Sequence, residues 1–341
     1  MFTRLYAFLF FILTVVESMR FFNHWHCIGI KEKIDFTKPY QINIGELPLV
    51  VWKDNTKDKL ITTINICKHM GSKLHNGIIT ETGCLKCQYH GLELNQEDRF
   101  GETIEHQGKI FWSYKPTHSK PYSLPFYDND NFATSFLEID MECSLLDSAF
   151  NNIDLRHPEY VHNKLFGFGN TIPPQNVKQY KYETNERVGL SFDYFSNPVM
   201  RSLNDNVKIT NNFHMYIYPT FSWSKVTFLK KSLLIGVNLL PLSEKKTRWY
   251  ITLCHNYYKS TYQKNFVQLL ATTILSQDSV QMRMQHKEDK IKHSMLFTHT
   301  FKDEEIMLWV KEMMKDYKYP DIDICVELYK NYGAFNKTLE Q

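Results

Sequence analysis

The chain has 341 residues, of which 43% are apolar and 15% aromatic, and its formal net charge is only +3. This composition excludes a mostly disordered protein and leaves room for about two domains with cores of their own. A charge this close to zero provides no strongly basic face, so we expect no nucleic-acid partner.

Seven cysteines are spread along the sequence. An odd number in a chain of this length does not suit a disulfide framework, and free thiols indicate a reducing compartment. We therefore expect the catalytic part to be cytoplasmic, or membrane-associated and facing such a compartment.

A short apolar run, Leu5–Val16, lies near the N-terminus and is followed by Glu17. It is short for a transmembrane helix but fits a signal-peptide core or an interfacial anchor, although no small-x-small cleavage site follows it. Three interpretations stay open for residues 1–19: a signal or membrane anchor, a helix packed on the fold, and a true start at Met19.

Residues 20–120 are predicted to form a first, antiparallel β domain. Short segments rich in Val, Ile and aromatic residues alternate there with turn-forming residues. The prolines between Pro116 and Pro125 indicate a linker where this domain ends. The predicted strands are Gln41–Ile44, Leu47–Trp52, Leu60–Ile66, Leu92–Leu94 and Lys109–Tyr114.

Two cysteine–histidine pairs stand out in this domain, Cys67-x-His69 and Cys87-x-x-His90. A [2Fe–2S] cluster with one iron on two thiolates and the other on two imidazoles needs two such loops. A zinc site is the alternative, because Cys84-x-x-Cys87 looks like half of a zinc ribbon, but a second CxxC or an HxxxH partner is absent. Glycines that permit tight turns and close backbone approach accompany the pairs: Gly71, Gly77, Gly83 and Gly91.

The box resembles the Rieske centre of Rieske non-haem iron oxygenases, down to the aromatic residue in Cys87-Gln88-Tyr89-His90-Gly91. Rieske proteins of the respiratory-complex type carry an extra cysteine in each loop, joined in a disulfide, and a serine after the final His-Gly. Here Ser72, Tyr89 and Leu92 stand in those places. Without the disulfide and the hydroxyl, we expect a potential at the low end of the Rieske range.

Residues 121–341 are predicted to form a second domain, in which a strand at Phe132–Glu142 leads into a helix. A curved antiparallel sheet packed by helices, of the helix-grip type, makes the fold class α+β. The later predicted strands are Tyr180–Glu183, Val188–Phe195, Val207–Tyr216, Thr220–Lys225, Ser232–Pro241 and Thr247–Tyr257, and the predicted helices are Phe266–Ile274 and Glu304–Met314.

The segment NNIDLRHPEYVHNKLFG, which begins at Asn151, carries Asp154, His157 and His162. Pro158 predicts a helix break or restart between the two histidines. Two imidazoles plus one carboxylate, with open positions left over, is the arrangement that non-haem Fe(II) oxygenases use. Taken alone, the two histidines could equally be ordinary surface or core residues.

The order Asn-x-x-Asp-x-x-His-x4-His resembles the iron-binding helix of Rieske oxygenases, especially the aromatic O-demethylase and related monooxygenase branch. The resemblance implies that His157 and His162 bind a mononuclear Fe(II). It also implies that Asp154 links His157 to the Rieske ligand His90 of a neighbouring subunit, which would make the protein a homotrimer. A solvated helix-surface carboxylate is the alternative for Asp154.

The third iron ligand must be a carboxylate from elsewhere, and Asp278 is the choice. Gln277-Asp278 matches the Gln/Glu-Asp pair in which the family's late carboxylate often occurs. Asp278, Gln281 and Gln285 also form a polar stripe on a predicted helix, which would need buried partners such as a metal. The competing carboxylates lie among lysines and indicate a solvated face: Glu288 and Asp289.

These motifs predict an oxygenase component that acts with O2 on a small apolar substrate, either aromatic or sterol- and lipid-like. Because no flavin or nicotinamide fingerprint is present, electrons are expected from a separate NAD(P)H-dependent reductase or a ferredoxin. Monooxygenation, dioxygenation and desaturation all stay open. Two alternatives are a Rieske-type electron carrier and a zinc-stabilised module that binds a hydrophobic ligand without turnover.

Overall fold

The structure is a computed structural model. It describes residues 20–162, 174–183, 186–195, 208–228, 231–285 and 304–339. The apolar N-terminal segment and the two competing carboxylates, Glu288 and Asp289, lie outside the described residues. Among the helices that are described, none has the length and hydropathy to cross a membrane.

The chain divides into two compact units. The first comprises residues 1–121, 241–243 and 316–341, and the second comprises residues 122–240 and 244–315. The predicted domains, 20–120 and 121–341, place the C-terminal segment differently, because a local pattern does not reveal which unit a terminal helix packs on.

The first unit is built from short antiparallel strands in three three-stranded sheets with the orders β1-β9-β8, β2-β3-β4 and β5-β6-β7. The predicted antiparallel β-structure is confirmed, while β1, β5, β6 and β8 were not predicted. The strands are β1 (His26–Ile30), β2 (Tyr40–Ile44), β3 (Leu47–Asp54), β4 (Lys59–Ile64), β5 (Ile78–Ile79), β6 (Leu85–Lys86), β7 (Glu93–Leu94), β8 (Glu102–His106) and β9 (Lys109–Ser113). Single 3-10 turns occur at Lys31–Lys33, Leu74–Asn76 and Gln96–Asp98.

One apolar cluster of this unit includes both cysteines of the predicted cluster site. Cys67 and Cys87 pack with Trp52, which donates its indole N–H to the Gly83 carbonyl at 3.1 Å. Anchoring the two loops in a core fixes the positions of their sulfur atoms. The remaining members of the cluster are Val50, Ile61, Leu74, Leu85 and Leu94.

A helix near the C-terminus, α5 (Ile322–Leu339), belongs to the first unit. The segment before it is held by the Glu46 amide, which donates to the Pro320 carbonyl at 2.8 Å. Tyr317 lies against Phe21 with 5.2 Å between ring centroids. The end of the chain thus returns to the β-rich first unit.

The second unit contains a seven-stranded antiparallel sheet with the order β10-β16-β15-β14-β13-β12-β11. Helices pack on this sheet, which confirms the predicted α+β class. The strands are β10 (Ala133–Met141), β11 (Gln175–Lys181), β12 (Arg187–Phe195), β13 (Lys208–Ile217), β14 (Phe221–Phe228), β15 (Lys231–Ser243) and β16 (Lys246–His255). The helices of this unit are α1 (Leu145–Ile153), α2 (His157–Val161), α3 (Thr261–Gln285) and α4 (Glu305–Met313).

Local chemistry explains how α1 is placed. Ser144 caps its N-terminus by accepting the Asp147 amide at 3.1 Å. Inside the helix, Ser148 accepts the indole N–H of Trp249 from β16 at 2.9 Å, which ties the helix to the sheet. The C-terminal end of α1 is therefore held firmly where the second predicted site begins.

Candidate metal centres

The two cysteine–histidine loops of the first unit share one backbone frame. The amide of Cys67 donates to the Ser72 carbonyl at 2.8 Å, and the amide of Cys87 donates to the Leu92 carbonyl at 2.8 Å. In each loop the glycine four residues after the cysteine donates back to the carbonyl of that cysteine. The two loops are thus equivalent even though their histidines stand at different spacings.

Each of these loops contains a glycine in the left-handed region, Gly71 at φ +75° and Gly91 at φ +73°. A Cβ on Gly71 would meet nothing within 4 Å, and one on Gly91 would only touch the Lys86 side chain. Space therefore does not require glycine at either position. The backbone conformation does, because other L-residues rarely adopt it.

The four candidate cluster ligands divide into a buried pair and an exposed pair. The Cys67 and Cys87 side chains are buried, whereas His69 and His90 lie at the surface with 4.7 Å between their ring centroids. The Tyr89 ring lies 3.9 Å from the His90 ring and is itself exposed. Two interior sulfurs below two surface imidazoles would leave one side of a bound cluster accessible to an electron-transfer partner.

Backbone amides converge on one of the two thiols. Burial by itself raises the pKa of the Cys87 thiol, but N–H groups of Tyr89 and His90 and the neighbouring Cys67 and Ser72 side chains outweigh it, so the pKa lies below its ordinary value. A sulfur that accepts two backbone N–H groups is a favourable cluster ligand, since a thiolate is the form that binds iron. These residues therefore fit a [2Fe–2S] cluster.

A single zinc ion fits these side chains less well. Within the described part of the first unit, no three Cys, His or carboxylate side chains bring ligand atoms within 4.8 Å of one another. Cys84, the residue that suggested a zinc ribbon, is half-buried, and its amide donates to the Thr80 hydroxyl at 3.1 Å. Among the described residues of this unit, no close group of three ligand atoms thus supports a zinc ion.

The second site begins at the break between α1 and α2. Asp154 ends α1, and its carboxylate accepts the Arg156 amide at 2.8 Å, so the chain turns there. Helix α2 then starts at His157, with Pro158 in its first turn, where proline is tolerated because that position needs no N–H donor. The break thus precedes His157, and the prediction of a break between the two histidines is wrong.

Three ligand atoms of His157, His162 and Asp278 lie within 4.8 Å of one another. The Asp278 Oδ1 atom is 3.2 Å from Nε2 of His162 and 3.6 Å from Nε2 of His157. His162 and Asp278 are buried, and His157 is nearly so. Two imidazoles and a carboxylate meeting in this way fit a mononuclear Fe(II) with open coordination positions.

Hydrogen bonds on the far side of each ring present Nε2 of both histidines to this point. Nδ1–H of His157 donates to the Asp154 backbone carbonyl at 3.1 Å, and the Asp154 carboxylate lies 3.7 Å from the same nitrogen. Nδ1–H of His162 donates to the Gln277 amide oxygen at 2.8 Å. Such bonds fix the tautomer in which Nε2 carries the lone pair that a metal needs.

The electrostatics of the two rings differ. Burial lowers the pKa of His157 and outweighs the carboxylates of Asp154 and Asp278, which favour its protonated form. The pKa of His162 is also lowered by burial, but its hydrogen bond and charge interaction with Asp278 prevail and raise it above the ordinary value. The Asp278 carboxylate therefore favours protonation of His162, whereas burial disfavours protonation of His157.

The predicted polar stripe on α3 is only partly correct. Asp278 is buried at the site, but Gln281 and Gln285 are exposed and contribute nothing to it. The glutamine that does contribute is Gln277, on the other side of Asp278 in the sequence. Its presence in the Gln-Asp pair was the one available signal.

Two further polar residues lie at the site: Asn151 opens the predicted Asn-x-x-Asp-x-x-His-x4-His motif but was given no role of its own, and His214 was not predicted. The Asn151 side chain donates to Asp278 Oδ1 at 3.4 Å. On β13, burial together with the nearby His157 lowers the pKa of His214 to about 4. A lone histidine in a strand has no sequence signal that assigns it to a site, so only the fold brings it to His157.

Comparison with known proteins identifies one domain of the chain and finds distant relatives. A family model described as Rieske [2Fe-2S] domain matches residues 24–111. Pheophorbide a oxygenase of Oryza sativa subsp. japonica, a chloroplastic protein, is 23% identical over 280 residues, covering 70% of this chain and 50% of its own. The oxygenase component of 3-ketosteroid-9-alpha-monooxygenase from Rhodococcus rhodochrous is 22% identical over 213 residues, which are 55% of this chain and 54% of its own. The chain thus spans about half the length of the curated relatives it matches.

Solved structures extend the likeness to both units. Dicamba monooxygenase bound to dicamba is similar with a TM-score of 0.70 and 16% identity, covering 86% of this chain and 97% of its own. NdmA of Pseudomonas putida CBB5, a mutant with theobromine, is similar with a TM-score of 0.69 and 15% identity, covering 87% and 90%. At this identity the likeness establishes the fold. The chain contains a Rieske [2Fe-2S] domain in residues 24–111 and shares the fold of these solved structures.

Proposed function

We propose that this chain is a terminal oxygenase component. It would use a Rieske [2Fe–2S] cluster and a mononuclear non-haem Fe(II) to activate O2 and to hydroxylate, demethylate or desaturate an apolar organic substrate. The observation that carries the proposal is that one chain contains both a Rieske domain and three ligand atoms gathered within 4.8 Å in its other unit. When bound, the cluster supplies single electrons and the Fe(II) provides the open positions at which O2 is activated.

The residues that would hold the two groups are proposed from their surroundings. Buried thiols with converging N–H groups and surface imidazoles support the cluster assignment, with Cys67, His69, Cys87 and His90 as its ligands. The iron assignment has His157, His162 and Asp278 as its ligands. It is supported by the convergence of both Nε2 atoms on the buried Asp278 carboxylate and by the hydrogen bonds that hold each ring through Nδ1.

The proposed role of Asp154 is electron transfer rather than ligation. Its carboxylate lies beside Nδ1 of His157, the nitrogen that faces away from Asp278. A carboxylate in that position can accept the ring N–H and, on its other side, meet a donor from another subunit. We propose that this donor is the partner subunit's His90, in a homotrimer whose neighbours complete each path.

The proposed substrate class is apolar and organic. The names of the relatives include pheophorbide a, a 3-ketosteroid, dicamba and theobromine, which are ring compounds. Both an aromatic and a sterol- or lipid-like substrate agree with this range. If residues 5–16 form a membrane anchor, a lipid-like substrate becomes the better choice, with the catalytic part in a reducing compartment.

Electrons would come from another protein, either an NAD(P)H-dependent reductase or a ferredoxin. The surface position of His69 would give such a donor access to the cluster, since His90 is proposed to face the neighbouring subunit. An electron carrier without oxygenase activity is the alternative function. The buried triad of the second unit disfavours it, because a carrier needs no second metal site.

The experiment that tests the function is a turnover assay under 18O2 with NADPH, a reductase and candidate ring compounds, followed by mass spectrometry of the products. The oxygenase proposal expects a product that contains 18O, or a desaturated or demethylated product formed only with O2. One labelled oxygen atom would indicate monooxygenation and two would indicate dioxygenation. Reoxidation of the cluster without any product across the panel, in protein that lacks mononuclear iron, would support the carrier.

A further inference from the structure

Helix α3 places two consecutive side chains on the two ends of one imidazole. Asp278 approaches Nε2 of His162 at 3.2 Å, while Gln277 accepts the Nδ1–H of the same ring at 2.8 Å. Successive residues of a helix point about 100° apart, so only a long side chain at position 277 can reach around to the far nitrogen. The His162 side chain is 3% exposed, so water has little access to replace this bond.

We propose that Gln277 is a positioning residue, which fixes His162 in the Nε2-ligating tautomer and holds its ring against Asp278. This inference rests on the mononuclear metal centre of the proposed function. It goes beyond that proposal because it assigns a role to a residue that would not touch the metal.

The chemical identity of residue 277 also makes the two histidines unequal. Behind His157 lies the Asp154 carboxylate, which adds negative charge, whereas behind His162 lies a neutral amide. A charged acceptor would raise the basicity of a ligating imidazole more than a neutral one does. Gln277 therefore orientates His162 without adding a second charge, and the charged link remains confined to His157.

Three substitutions of Gln277 separate the effects of side-chain length, hydrogen-bond acceptance and charge at this position. Gln277→Asn keeps the amide but is one methylene too short for the 2.8 Å contact. Gln277→Leu removes the acceptor at similar volume, and Gln277→Glu keeps the length and the acceptor while adding charge. Gln281→Leu is the matched control, because Gln281 is the same residue type one turn further along α3 and is exposed.

The test uses full-length protein with an intact Rieske cluster, whose mononuclear site is emptied with a chelator and reloaded with Co(II). Affinity is measured by competition with a chromophoric chelator. The proton NMR spectrum of the Co(II) protein is recorded in H2O and D2O, because a metal-bound histidine gives a shifted, exchangeable Nδ1–H signal. Circular dichroism and thermal unfolding identify any variant that fails to fold.

The expected result is two such exchangeable signals in the wild type and in Gln281→Leu. In Gln277→Leu and Gln277→Asn, one signal should be lost to rapid exchange and Co(II) affinity should fall about 10- to 100-fold. Gln277→Glu should retain both signals, with one of them shifted, and should bind Co(II) at least as tightly as the wild type. If Gln277→Leu does not fold, Gln277→Asn and Gln277→Glu still decide the matter.

Wild-type affinity and two protected signals in Gln277→Asn or Gln277→Leu would overturn the positioning role while leaving the proposed metal centre standing. Failure of the wild-type protein to bind Co(II) at all would overturn both, so the two failures are distinguishable. Equal loss of affinity in Gln281→Leu would also overturn the proposal, because the effect would then be one of helix stability.

Discussion

The carboxylate of Asp278 on α3 lies 3.2 Å from Nε2 of His162, which directly follows α2, although the two residues are far apart in the sequence. The hydrogen bond between the two side chains offsets part of the desolvation free energy that their burial costs. A bound cation would take the place of that mutual contact and hold both side chains more firmly.

Substitution His157→Ala is expected to empty the mononuclear site while the Rieske cluster stays loaded. The substitution removes one of the three converging ligand atoms of the second unit and leaves the proposed cluster ligands of the first unit unchanged. Metal analysis should show loss of about one iron per chain, and the visible and EPR spectra of the cluster should be unchanged.

The exposed Tyr160 on the same helix provides the control, since Tyr160→Ala should retain its iron. A His157→Ala protein that keeps its full iron content and its turnover would show that the mononuclear site lies elsewhere.

Substitution Asp154→Asn is expected to lower turnover about 10- to 100-fold with both metal sites loaded. The asparagine keeps an oxygen for the Arg156 amide, so the turn between α1 and α2 should persist. It removes the charge beside His157, which the proposed electron path needs. Pre-reduced protein mixed with O2 and substrate should reoxidise its cluster correspondingly slowly in a stopped-flow spectrometer.

Glu142→Gln is the control for a general effect of removing a carboxylate, since Glu142 is exposed and pairs only at the surface with Arg283 at 2.8 Å. If the cluster of Asp154→Asn is reoxidised as fast as that of the wild type, Asp154 does not take part in the proposed electron path.

Substitution Gly71→Ala is expected to weaken cluster binding through backbone strain. The methyl group has free space, but φ +75° costs an L-residue about 1–2 kcal/mol. Gly71→Asn should recover part of the loss, because asparagine tolerates the left-handed conformation better. Loss of cluster absorbance during chelator challenge measures the effect, and the expected order of stability is Gly, then Asn, then Ala. Equal stability of the three proteins would contradict the strain argument.

The buried His26 should make the first unit sensitive to acid. Burial lowers the pKa of His26 to about 3, against 6.5 for the ordinary group. The unfolded chain therefore takes up this proton first, so the stability that neutral His26 contributes is present above pH 6.5 and is lost as the pH falls toward 3. Relative to His26→Gln, the wild type should lose about 1.4 kcal/mol of unfolding free energy per pH unit in that window.

Denaturant unfolding at several pH values, monitored by cluster absorbance, measures this slope. His118→Gln changes an exposed histidine of the same unit and should keep the wild-type slope. Identical slopes in the wild type and His26→Gln would show that His26 does not control acid stability.

The sequence predicted the features that local chemistry determines. The two Cys–His loops could be recognised because their spacing and glycines are dictated by the loop backbone itself, as the left-handed φ of Gly71 and Gly91 illustrates. Most strands of the seven-stranded sheet could be recognised from segments rich in Val, Ile and aromatic residues, whereas the short strands β1, β5, β6 and β8 could not. The helix break was predicted after His157 rather than before it, because Pro158 fits both a helix break and a first helical turn.

Features that depend on the tertiary fold could not be predicted in the same way. Gln277, Asn151 and His214 reach the second site only because α1, α3 and β13 pack together. The contacts of Gln277 and Asn151 could not be predicted although both lie in recognised motifs, and His214 has no distinctive neighbourhood in the sequence. The same is true of α5, whose membership of the first unit depends on contacts such as that between Glu46 and Pro320.

The most direct test of the account is the content of iron, zinc and acid-labile sulfide in full-length protein purified anaerobically. One [2Fe–2S] cluster and one mononuclear iron predict about three irons for every two sulfides. A ratio near one to one that does not change on Fe(II) reconstitution would contradict the catalytic iron and favour an electron carrier. Zinc without sulfide would contradict the Rieske cluster itself.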